Sequence, residues 1–434
     1  MARGRRERTD KRRGVVLGWV LIALLLAALA AGGFAVYRAA AYWRNKVIQN
    51  AAALAVPAAV IQPAPAPAQE PPKAETLGAL TPEPQPEPEP DPEPDPEPSR
   101  VTLMAVGDNL IHNCVYWSAE LPGGEYDFTP FYADIRPTVE SYDIACINQE
   151  TIYVEDPAQY SNYPYFGSPT AVGDALAETG FDVVTAATNH CFDKGETGIL
   201  DTIRFWRDKH PDMTVLGIHD TPEDAESIRV VEKNGIRIAM LNYTYGLNYG
   251  TPQKKYMVDT LSGRDAIADE IGRAREQSDF VIVFAHWGEE GMYVPSADQK
   301  SWAQFFADHG VGLVIGAHPH VVQPLETVTA ADGAQMPVFY SLGNFLSHQV
   351  DPQNMLGGLA SVTLEKSPEG AVRVAECTLE PTINVMLYRG EHGRFDYRPM
   401  LLTDYTDELA ARHHIPGCGV EQMWALFRQI TGES

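Results

Sequence analysis

The chain has 434 residues, of which 33 are Lys or Arg and 58 are Asp or Glu, so its net charge is -25 at pH 7. This negative charge argues against nucleic acid as a partner, and the length leaves one to three domains open. The 5 cysteines are scattered without a Cys-x-x-Cys pair, which excludes a disulfide scaffold.

The beginning of the chain predicts a membrane anchor. Residues 1–14 are rich in Arg and Lys and are expected to be cytoplasmic, whereas residues 15–37 form an apolar run that can span a bilayer as one helix. A cleaved signal peptide is the alternative, because small residues near the end of the run resemble a cleavage site. The length of the run favours a retained transmembrane helix. We therefore expect a single-pass protein of the cell membrane with the bulk of the chain extracytoplasmic.

Residues 38–99 predict a disordered linker. Pro, Ala and Glu dominate this segment, and it lacks the apolar side chains needed to pack a core. Alternating Pro and acidic residues favour an extended stalk. A ligand for a partner module is the less favoured alternative.

Residues 100–400 predict one folded domain, followed by a tail at 401–434 that packs on it or trails from it. Apolar runs typical of buried strands alternate with amphipathic helical stretches, which predicts a layered α/β domain. The strand-like runs are 100–108, 142–150, 182–190, 280–286 and 311–318, and the helical stretches are 171–179, 196–210, 265–277 and 297–309. Two predicted antiparallel hairpins, at 228–245 and 359–380, argue against a simple Rossmann sheet.

Each of the five strand-like runs leads into residues of metal-ligand type. Carboxylate, amide and imidazole groups together suit a divalent cation, and the carboxyl ends of strands are where an α/β sheet holds such a site. The His-x-His pair and the Asn-His pair are each weak signals alone, but the ordered set is much stronger. The residues are Asp108, Asn148, Glu150, Asn189, His286, His318 and His320.

These motifs resemble a known family, the bacterial capsule-synthesis proteins of the poly-gamma-glutamate type, or CapA family, which are similar to calcineurin-like metallophosphoesterases. The resemblance extends from about Val101 to about Pro381. It rests on Val-Gly107-Asp108, Ile-Asn148-Gln-Glu150, Thr-Asn189-His190-Cys-Phe-Asp193, Ala-His286-Trp-Gly, Gly-Ala-His318-Pro-His320 and Tyr340-Ser-Leu-Gly-Asn344-Phe. It implies a layered α/β/β/α sandwich of the metallophosphoesterase type.

The resemblance also implies roles for individual residues. Two divalent ions, Mn, Fe or Zn, would be held by Asp108, Glu150, Asn189, His286, His318 and His320. His190 would protonate the leaving oxygen. Asp193 would orient His190 or, as an equally strong alternative, cap the helix that follows.

The sequence departs from the phosphoesterase pattern at two motifs. The usual Asp-x-His is missing, and His112 lies four residues after Asp108, where packing is a stronger expectation than metal ligation. Asn148 either contacts a metal or braces Glu150. His348 is a candidate substrate contact, and the aromatic segment Tyr153–Phe166 either lines a cleft or packs an irregular loop.

Two functions remain open. The first is a membrane-anchored, extracytoplasmic metal-dependent hydrolase that acts on a phosphorylated substrate or on an amide bond in an anionic cell-surface polymer. The second is a non-hydrolytic component of a poly-gamma-glutamate synthesis and export complex, with capsule synthesis or export proteins as partners. The residues favour the enzyme, whereas the family name favours the component.

Overall fold

The computed structural model describes residues 99–391 and 393–432. The predicted cytoplasmic segment, the transmembrane helix at 15–37 and the linker up to residue 98 lie outside these ranges. Within the described ranges, no helix has the length and apolar character required to traverse a bilayer.

Two β-sheets form the centre of the domain. The first sheet has the strand order β16-β15-β14-β1-β2-β5-β6, with β13 beside β1, and the second has the order β11-β12-β10-β9-β8-β7. The strands of the first sheet are β1 Ser99–Asn109, β2 Ile144–Gln149, β5 Val183–Thr185, β6 Thr214–Leu216, β13 Asn344–Leu346, β14 Leu356–Lys366, β15 Val372–Tyr388 and β16 Phe395–Leu401. Those of the second are β7 Arg229–Lys233, β8 Ile236–Thr244, β9 Phe280–His286, β10 Leu313–Ala317, β11 Val322–Thr329 and β12 Gln335–Leu342. A short pair, β3 Tyr153–Val154 and β4 Ser168–Pro169, stands apart.

Both sheets mix parallel and antiparallel pairing. β1, β2, β5 and β6 run parallel, and so do β8, β9, β10 and β12, while β14 pairs antiparallel with β1. Parallel strands place their carboxyl ends at one edge of a sheet, and every residue of β2 and β9 is buried. The mixed α/β fold predicted from the sequence is therefore confirmed.

Helices flank the two sheets. They are α1 Asn113–Ala119, α2 Arg136–Val139, α3 Ala171–Thr179, α4 Gly195–Lys209, α5 Pro222–Glu226, α6 Arg264–Gln277, α7 Ala297–Asp308, α8 Asp407–Arg412 and α9 Val420–Thr431. Alternate residues of β8 show the layers: Ile238 and Met240 pack in the core shared with the first sheet, whereas Ala239 and Leu241 pack in the cluster that includes residues of α6 and α7. Side chains of α3 and α4 pack with the strands of the first sheet. The order of layers is thus helix, sheet, sheet, helix.

The predicted long helices agree with α3, α4, α6 and α7 to within one residue at each end. The strand predicted at 182–190 is wrong beyond Thr185, where β5 ends. The reason is a tertiary contact with β8 of the second sheet, because the N–H groups of Ala186 and Ala187 donate to the side-chain oxygen of Asn242, at 3.0 and 2.7 Å.

Both predicted hairpins are present, as β7–β8 and β14–β15. The first turns at Asn234 and Gly235, whose φ angles of 49° and 76° match a tight turn that requires two left-handed residues. The tail packs on the domain, because Met423, Phe427 and Ile430 of α9 are buried in the same core as the first sheet.

Candidate metal centre

The carboxyl ends of the two sheets bring the predicted ligands together. Asp108 near the end of β1 pairs across the sheet with Asn148 of β2 and with Asn344 of β13. In the second sheet, His286 ends β9 beside Ala317, the last residue of β10. The sequence places Glu150 just after β2, and His318 and His320 just after β10.

Glu150 lies at the centre of this cluster and its carboxylate is unusual. The side chain is fully buried, and neither oxygen has a hydrogen-bond partner. Its Oε1 atom lies 3.8 Å from Nε2 of His286 and 3.7 Å from Nε2 of His320. Burial raises the pKa of Glu150 well above its ordinary value. A buried carboxylate without donors is costly, so this position fits a bound cation.

Two groups of potential ligands overlap at Glu150. Glu150, His286 and His318 form one group, and Asp108, Glu150 and His320 form the other. Within each group, the candidate ligand atoms lie within 4.8 Å of one another. Such mixed imidazole and carboxylate sets suit Mn, Fe or Zn.

Asp108 is held in place by hydrogen bonds. Its carboxylate accepts from Nδ2 of Asn148 at 2.8 Å and from the backbone N–H of His318 at 3.3 Å, and Nδ1 of His320 lies 3.0 Å away. The preceding Gly107 is required by a close approach, because a Cβ atom there would lie 1.9 Å from the carbonyl oxygen of Gly343. This explains the glycine in the Val-Gly-Asp motif.

The His-x-His loop has a strained backbone. His318 and His320 have φ angles of 97° and 58°, in the left-handed region that costs a non-glycine residue about 1–3 kcal/mol. The loop is fixed from outside by Nδ2 of Asn354, which donates to the His320 carbonyl at 2.8 Å, and by the N–H of Gly291, which donates to the Pro319 carbonyl at 2.6 Å. Strain that the surroundings enforce in this way is typical of ligand-binding positions.

The histidines of the cluster are in different electrostatic environments. Burial, reinforced by His318 and His320, lowers the pKa of His286 well below its ordinary value, so its imidazole is neutral and ready to bind a cation. Burial opposes a charge on His320 as well, but Glu150 and Asp108 raise its pKa to about 10. His320 must therefore lose a proton when it becomes a ligand.

His190 and Asp193 form a buried pair beside the cluster. Nδ1 of His190 lies 2.7 Å from Oδ2 of Asp193, which also accepts the backbone N–H of Phe166 at 2.8 Å. Helix α4 begins at Gly195 without a side-chain cap, so the alternative of Asp193 as a helix cap is wrong. Since Nδ1 donates to Asp193, Nε2 is the ring nitrogen that Asp193 does not hold.

The two asparagines have distinct contacts. Oδ1 of Asn189 lies 2.8 Å from Nε2 of His286. Asn148 donates to Asp108 and accepts from Oγ1 of Thr185 at 2.8 Å. The expectation that Asn148 braces Glu150 is therefore wrong, since the carboxylate of Glu150 has no such bond.

His112 and His348 lie next to each other, and His112 belongs to neither ligand group found among residues 99–391 and 393–432. Nδ1 of His112 accepts the backbone N–H of His348 at 3.1 Å, and burial lowers the pKa of His112 to about 3. Nδ1 of His348 pairs with the hydroxyl of Tyr397 at 2.8 Å, and burial lowers the pKa of His348 to about 4.

The aromatic segment is divided between core and surface. Tyr153 is buried in the core, whereas Tyr163 and Tyr165 are 70% and 46% exposed. Phe166 places its ring edge-on to His190, with centroids 4.8 Å apart. Packing accounts for Tyr153 and Phe166, whereas the lining of a substrate cleft by the exposed tyrosines stays a prediction.

Sequence reasoning missed three residues of the site. Nδ2 of Asn248 lies 3.3 Å from Nε2 of His190, Oδ1 of Asn344 lies 3.1 Å from Nδ1 of His320, and the ring of Tyr245 lies 4.6 Å from that of His318. Tyr245 follows directly after β8, so the strand-end signal used for the other ligands would have found it, whereas Asn248 lies further along the loop.

Comparisons with known proteins agree on the family. The model of the family described as bacterial capsule synthesis protein PGA_cap matches residues 102–349, more than half of the chain. The capsule biosynthesis protein CapA of Bacillus anthracis is 29% identical over 259 residues, which cover 58% of this chain and 60% of that protein. The PGA biosynthesis protein CapA of Bacillus subtilis (strain 168) is 30% identical over 200 residues, which cover 46% of this chain and 51% of that protein. The chain thus spans about half to three fifths of the length of these relatives.

Solved structures give weaker likenesses. The NAD nucleotidase NadN of Haemophilus influenzae has a TM-score of 0.43 at 10% identity, covering 76% of this chain and 60% of that one. The 5'-nucleotidase of Candida albicans has a TM-score of 0.36 at 12% identity, and the match covers 65% of this chain and 51% of that one. Neither likeness is strong enough to carry a fold or an activity over to this chain. From the family match, the chain belongs to the bacterial capsule synthesis proteins of the PGA_cap, or CapA, family.

Proposed function

We propose that this chain is a membrane-anchored, extracytoplasmic, metal-dependent hydrolase that acts on a phosphoester in the synthesis of capsule or a related cell-surface polymer. The observation that carries the proposal is the fully buried Glu150 carboxylate, which has no hydrogen bond and belongs to both groups of potential ligands. Family membership supports the connection with capsule synthesis.

Two overlapping groups of possible ligands, both of which include Glu150, support the binding of divalent ions, which we propose to be two. The residues that would hold them are Asp108, Glu150, Asn189, His286, His318 and His320. Such ions, when bound, supply positive charge for the phosphoryl oxygens and a water activated at neutral pH. Asn148 and Thr185 would keep Asp108 oriented, since the three side chains form one hydrogen-bonded chain.

His190 is suited to donate a proton to the leaving-group oxygen. Its Nδ1 atom is held by Asp193, which fixes the orientation of the ring and leaves Nε2 as the nitrogen from which the proton would be transferred. A positioned general acid contributes about 10²–10⁴-fold to a rate. Phe166 supports the pair from both sides, through its N–H to Asp193 and its ring against His190.

The location rests on the sequence. The basic start of the chain and the apolar run at 15–37 support an anchor with the domain outside the membrane. Extraction of membranes with alkaline carbonate should leave the full chain in the pellet, and added protease should digest the domain in cells stripped of their wall. Release by carbonate, or protection from protease, would contradict this part of the proposal.

The enzymatic part is tested with the full chain purified in detergent. We expect about two metal ions per chain and metal-dependent hydrolysis of p-nitrophenyl phosphate with added Mn. His190→Ala should lower kcat at least about 10²-fold with metal content unchanged. The control is His210→Ala, because His210 forms an ion pair with the largely exposed Asp174 and belongs to neither ligand group found in the described part of the chain. Equal turnover in His190→Ala and wild type would refute the role of His190.

The second candidate is a non-hydrolytic component of a poly-gamma-glutamate synthesis and export complex. The observation that favours it is that both Bacillus relatives are named for biosynthesis. This reading expects bound metal, no turnover, and binding of poly-gamma-glutamate that is lost when a chelator removes the metal. Turnover that depends on His190 would exclude it.

A further inference from the structure

A short segment after β8, Tyr245–Gly250, lies directly over the site. Its backbone is fixed at two points, because the N–H of Tyr245 donates to the His286 carbonyl and the N–H of Asn248 donates to the Asn189 carbonyl, both at 2.9 Å. Between them, Leu247 packs into a hydrophobic cluster with Phe192. The side chains of this segment are therefore held at the site rather than left to a free loop.

Asn248 occupies the substrate side of His190. Its Nδ2 atom lies 3.3 Å from Nε2 of His190, the ring nitrogen that Asp193 does not hold. A carboxamide can donate through nitrogen or accept through oxygen. It can therefore bond to the ring in either protonation state, or to an alcohol oxygen next to it.

Tyr249 forms an exposed aromatic surface with Tyr165. The two rings meet edge-on with centroids 4.7 Å apart, although the side chains come from different loops, and they remain 53% and 46% exposed. Tyr163, at 70% exposure, packs near Phe166, whose ring contacts His190. Aromatic rings that are open to water and continuous with a polar site are suited to cover the apolar face of a ligand.

The chemistry of this surface limits what the ligand presents to it. Tyr165 and Tyr249 offer apolar ring faces and edges rather than a charged group. An uncharged ring on the ligand therefore fits this surface.

We propose that Tyr245–Gly250 is the leaving-group subsite, in which Asn248 binds the leaving-group oxygen beside His190 and Tyr249 with Tyr165 packs against an uncharged ring on the same alcohol. The inference rests on the proposed function, because a leaving group exists only if the site hydrolyses an ester. The ligand class is a phosphate ester of a neutral, ring-bearing alcohol, either a sugar or a nucleoside.

The kinetic test compares substrates with the same kind of ester bond. Glucose 6-phosphate, adenosine 5'-monophosphate and glycerol 3-phosphate are all esters of primary alcohols, and only the first two carry a ring. We expect the Mn-loaded full chain to prefer a ring-bearing ester in kcat/KM by at least about tenfold, which equals about 1.4 kcal/mol. Whichever ring-bearing ester is preferred identifies the source as sugar or nucleoside.

The variants separate the two parts of the subsite. Tyr249→Ala should reduce the preference for the ring below about threefold, which is about 0.65 kcal/mol, by lowering kcat/KM for the ring-bearing esters, and Tyr249→Phe should retain the preference. Asn248→Ala should lower kcat on all three esters with metal content unchanged. The control is Tyr388→Ala, since Tyr388 is equally exposed, at 51%, but packs on Phe395 and His414. An unchanged preference in Tyr249→Ala would overturn the subsite.

A binding test does not depend on turnover. Saturation-transfer NMR with methyl glucoside and with adenosine on the metal-free full chain should show contact with at least one of them, and Tyr249→Ala should remove it. If binding depends on Tyr249 but no phosphoester is hydrolysed, the proposed hydrolase function is refuted, whereas the ring-binding surface is supported. Hydrolysis of all three esters at equal efficiency, or no ring binding at all, would overturn the subsite.

Discussion

Two buried clusters in this domain combine histidine with carboxylates, and they differ in how completely their polar atoms are satisfied. At the candidate metal centre, Glu150 is fully buried and its two oxygens accept no hydrogen bond. In the second cluster, buried His219 has Nδ1 3.3 Å from Asp224 and Nε2 2.8 Å from Asp259. Arg229 pairs with Asp224 as well.

The contrast separates a structural ion cluster from a binding site. The carboxylates around His219 are 22–23% exposed and every charge has an opposite partner, so the folded chain satisfies the cluster by itself. The Glu150 cluster is closed to solvent and leaves ligand atoms unsatisfied, which a folded chain tolerates only at a cost in stability. Residue types alone do not distinguish the two clusters, whereas the state of their hydrogen bonds does.

The largest expected effect is a loss of kcat when one carboxylate beside the candidate metal centre is replaced by an amide, compared with the same replacement in the second cluster. Asp193→Asn should lower kcat by about 10³-fold, because a neutral amide does not balance the positive charge of the doubly protonated His190 ring that gives its Nε2 proton to the leaving oxygen. Metal content and KM should change little, since Asp193 belongs to neither ligand group found in the described part of the chain. Steady-state kinetics and metal analysis check this.

The matched control is Asp259→Asn in the second cluster, which should leave turnover within about threefold of wild type and lower only the stability. If the two variants lost activity alike, the division into a binding site and a structural cluster would fail.

The next effect is a pH dependence of stability that belongs to His219. Burial alone would lower its pKa, but hydrogen bonds to Asp224 and Asp259 raise it to about 9. The charged form is thus stabilised by folding, and this contribution is complete below the ordinary pKa of 6.5 and is lost as the pH rises through about 9. It amounts to about 3 kcal/mol in the free energy of unfolding.

Urea unfolding of wild type and His219→Gln at pH 6 and pH 10 measures this difference. The gap in the free energy of unfolding should be about 3 kcal/mol at pH 6 and should nearly close at pH 10. His210→Gln is the control, because His210 and its partner Asp174 are more exposed and such pairs contribute about 0–1 kcal/mol. A gap that stays constant with pH would show that His219 acts through packing alone.

The same contrast explains how much could be predicted from the sequence. Strand ends predicted that Asp108, Glu150 and His286 come together, because parallel strands place their carboxyl ends at one edge. The sequence predicts that Asn148 braces Glu150, its neighbour along the chain, and this prediction is wrong. Adjacency in the chain does not reveal that Asn148 lies opposite Asp108 in the sheet register.

Other features depend on tertiary contacts between distant segments. Asn248 reaches His190 across 58 positions of sequence, and Tyr249 meets Tyr165 from another loop. The left-handed backbone of His318 and His320 is equally invisible in a His-Pro-His string, because the contacts of Asn354 and Gly291 hold the loop.

The smallest effect tests the metal centre without any substrate. In protein stripped of metal by a chelator, Glu150→Gln should raise the free energy of unfolding by about 1–3 kcal/mol at neutral pH, because folding makes the Glu150 carboxyl group either take up a proton or be buried as a charge that has no donor. After metal is restored, the order should reverse, since binding stabilises only the chain that retains its ligand. Asp108→Asn is the control, because its carboxylate is already hydrogen-bonded to Asn148 and His320, so the amide should destabilise the metal-free chain. Urea unfolding with and without Mn measures all three chains. If Glu150→Gln destabilised the metal-free protein as much as Asp108→Asn does, Glu150 would be satisfied by the folded chain like the carboxylates around His219, and the case for a metal at this position would fall.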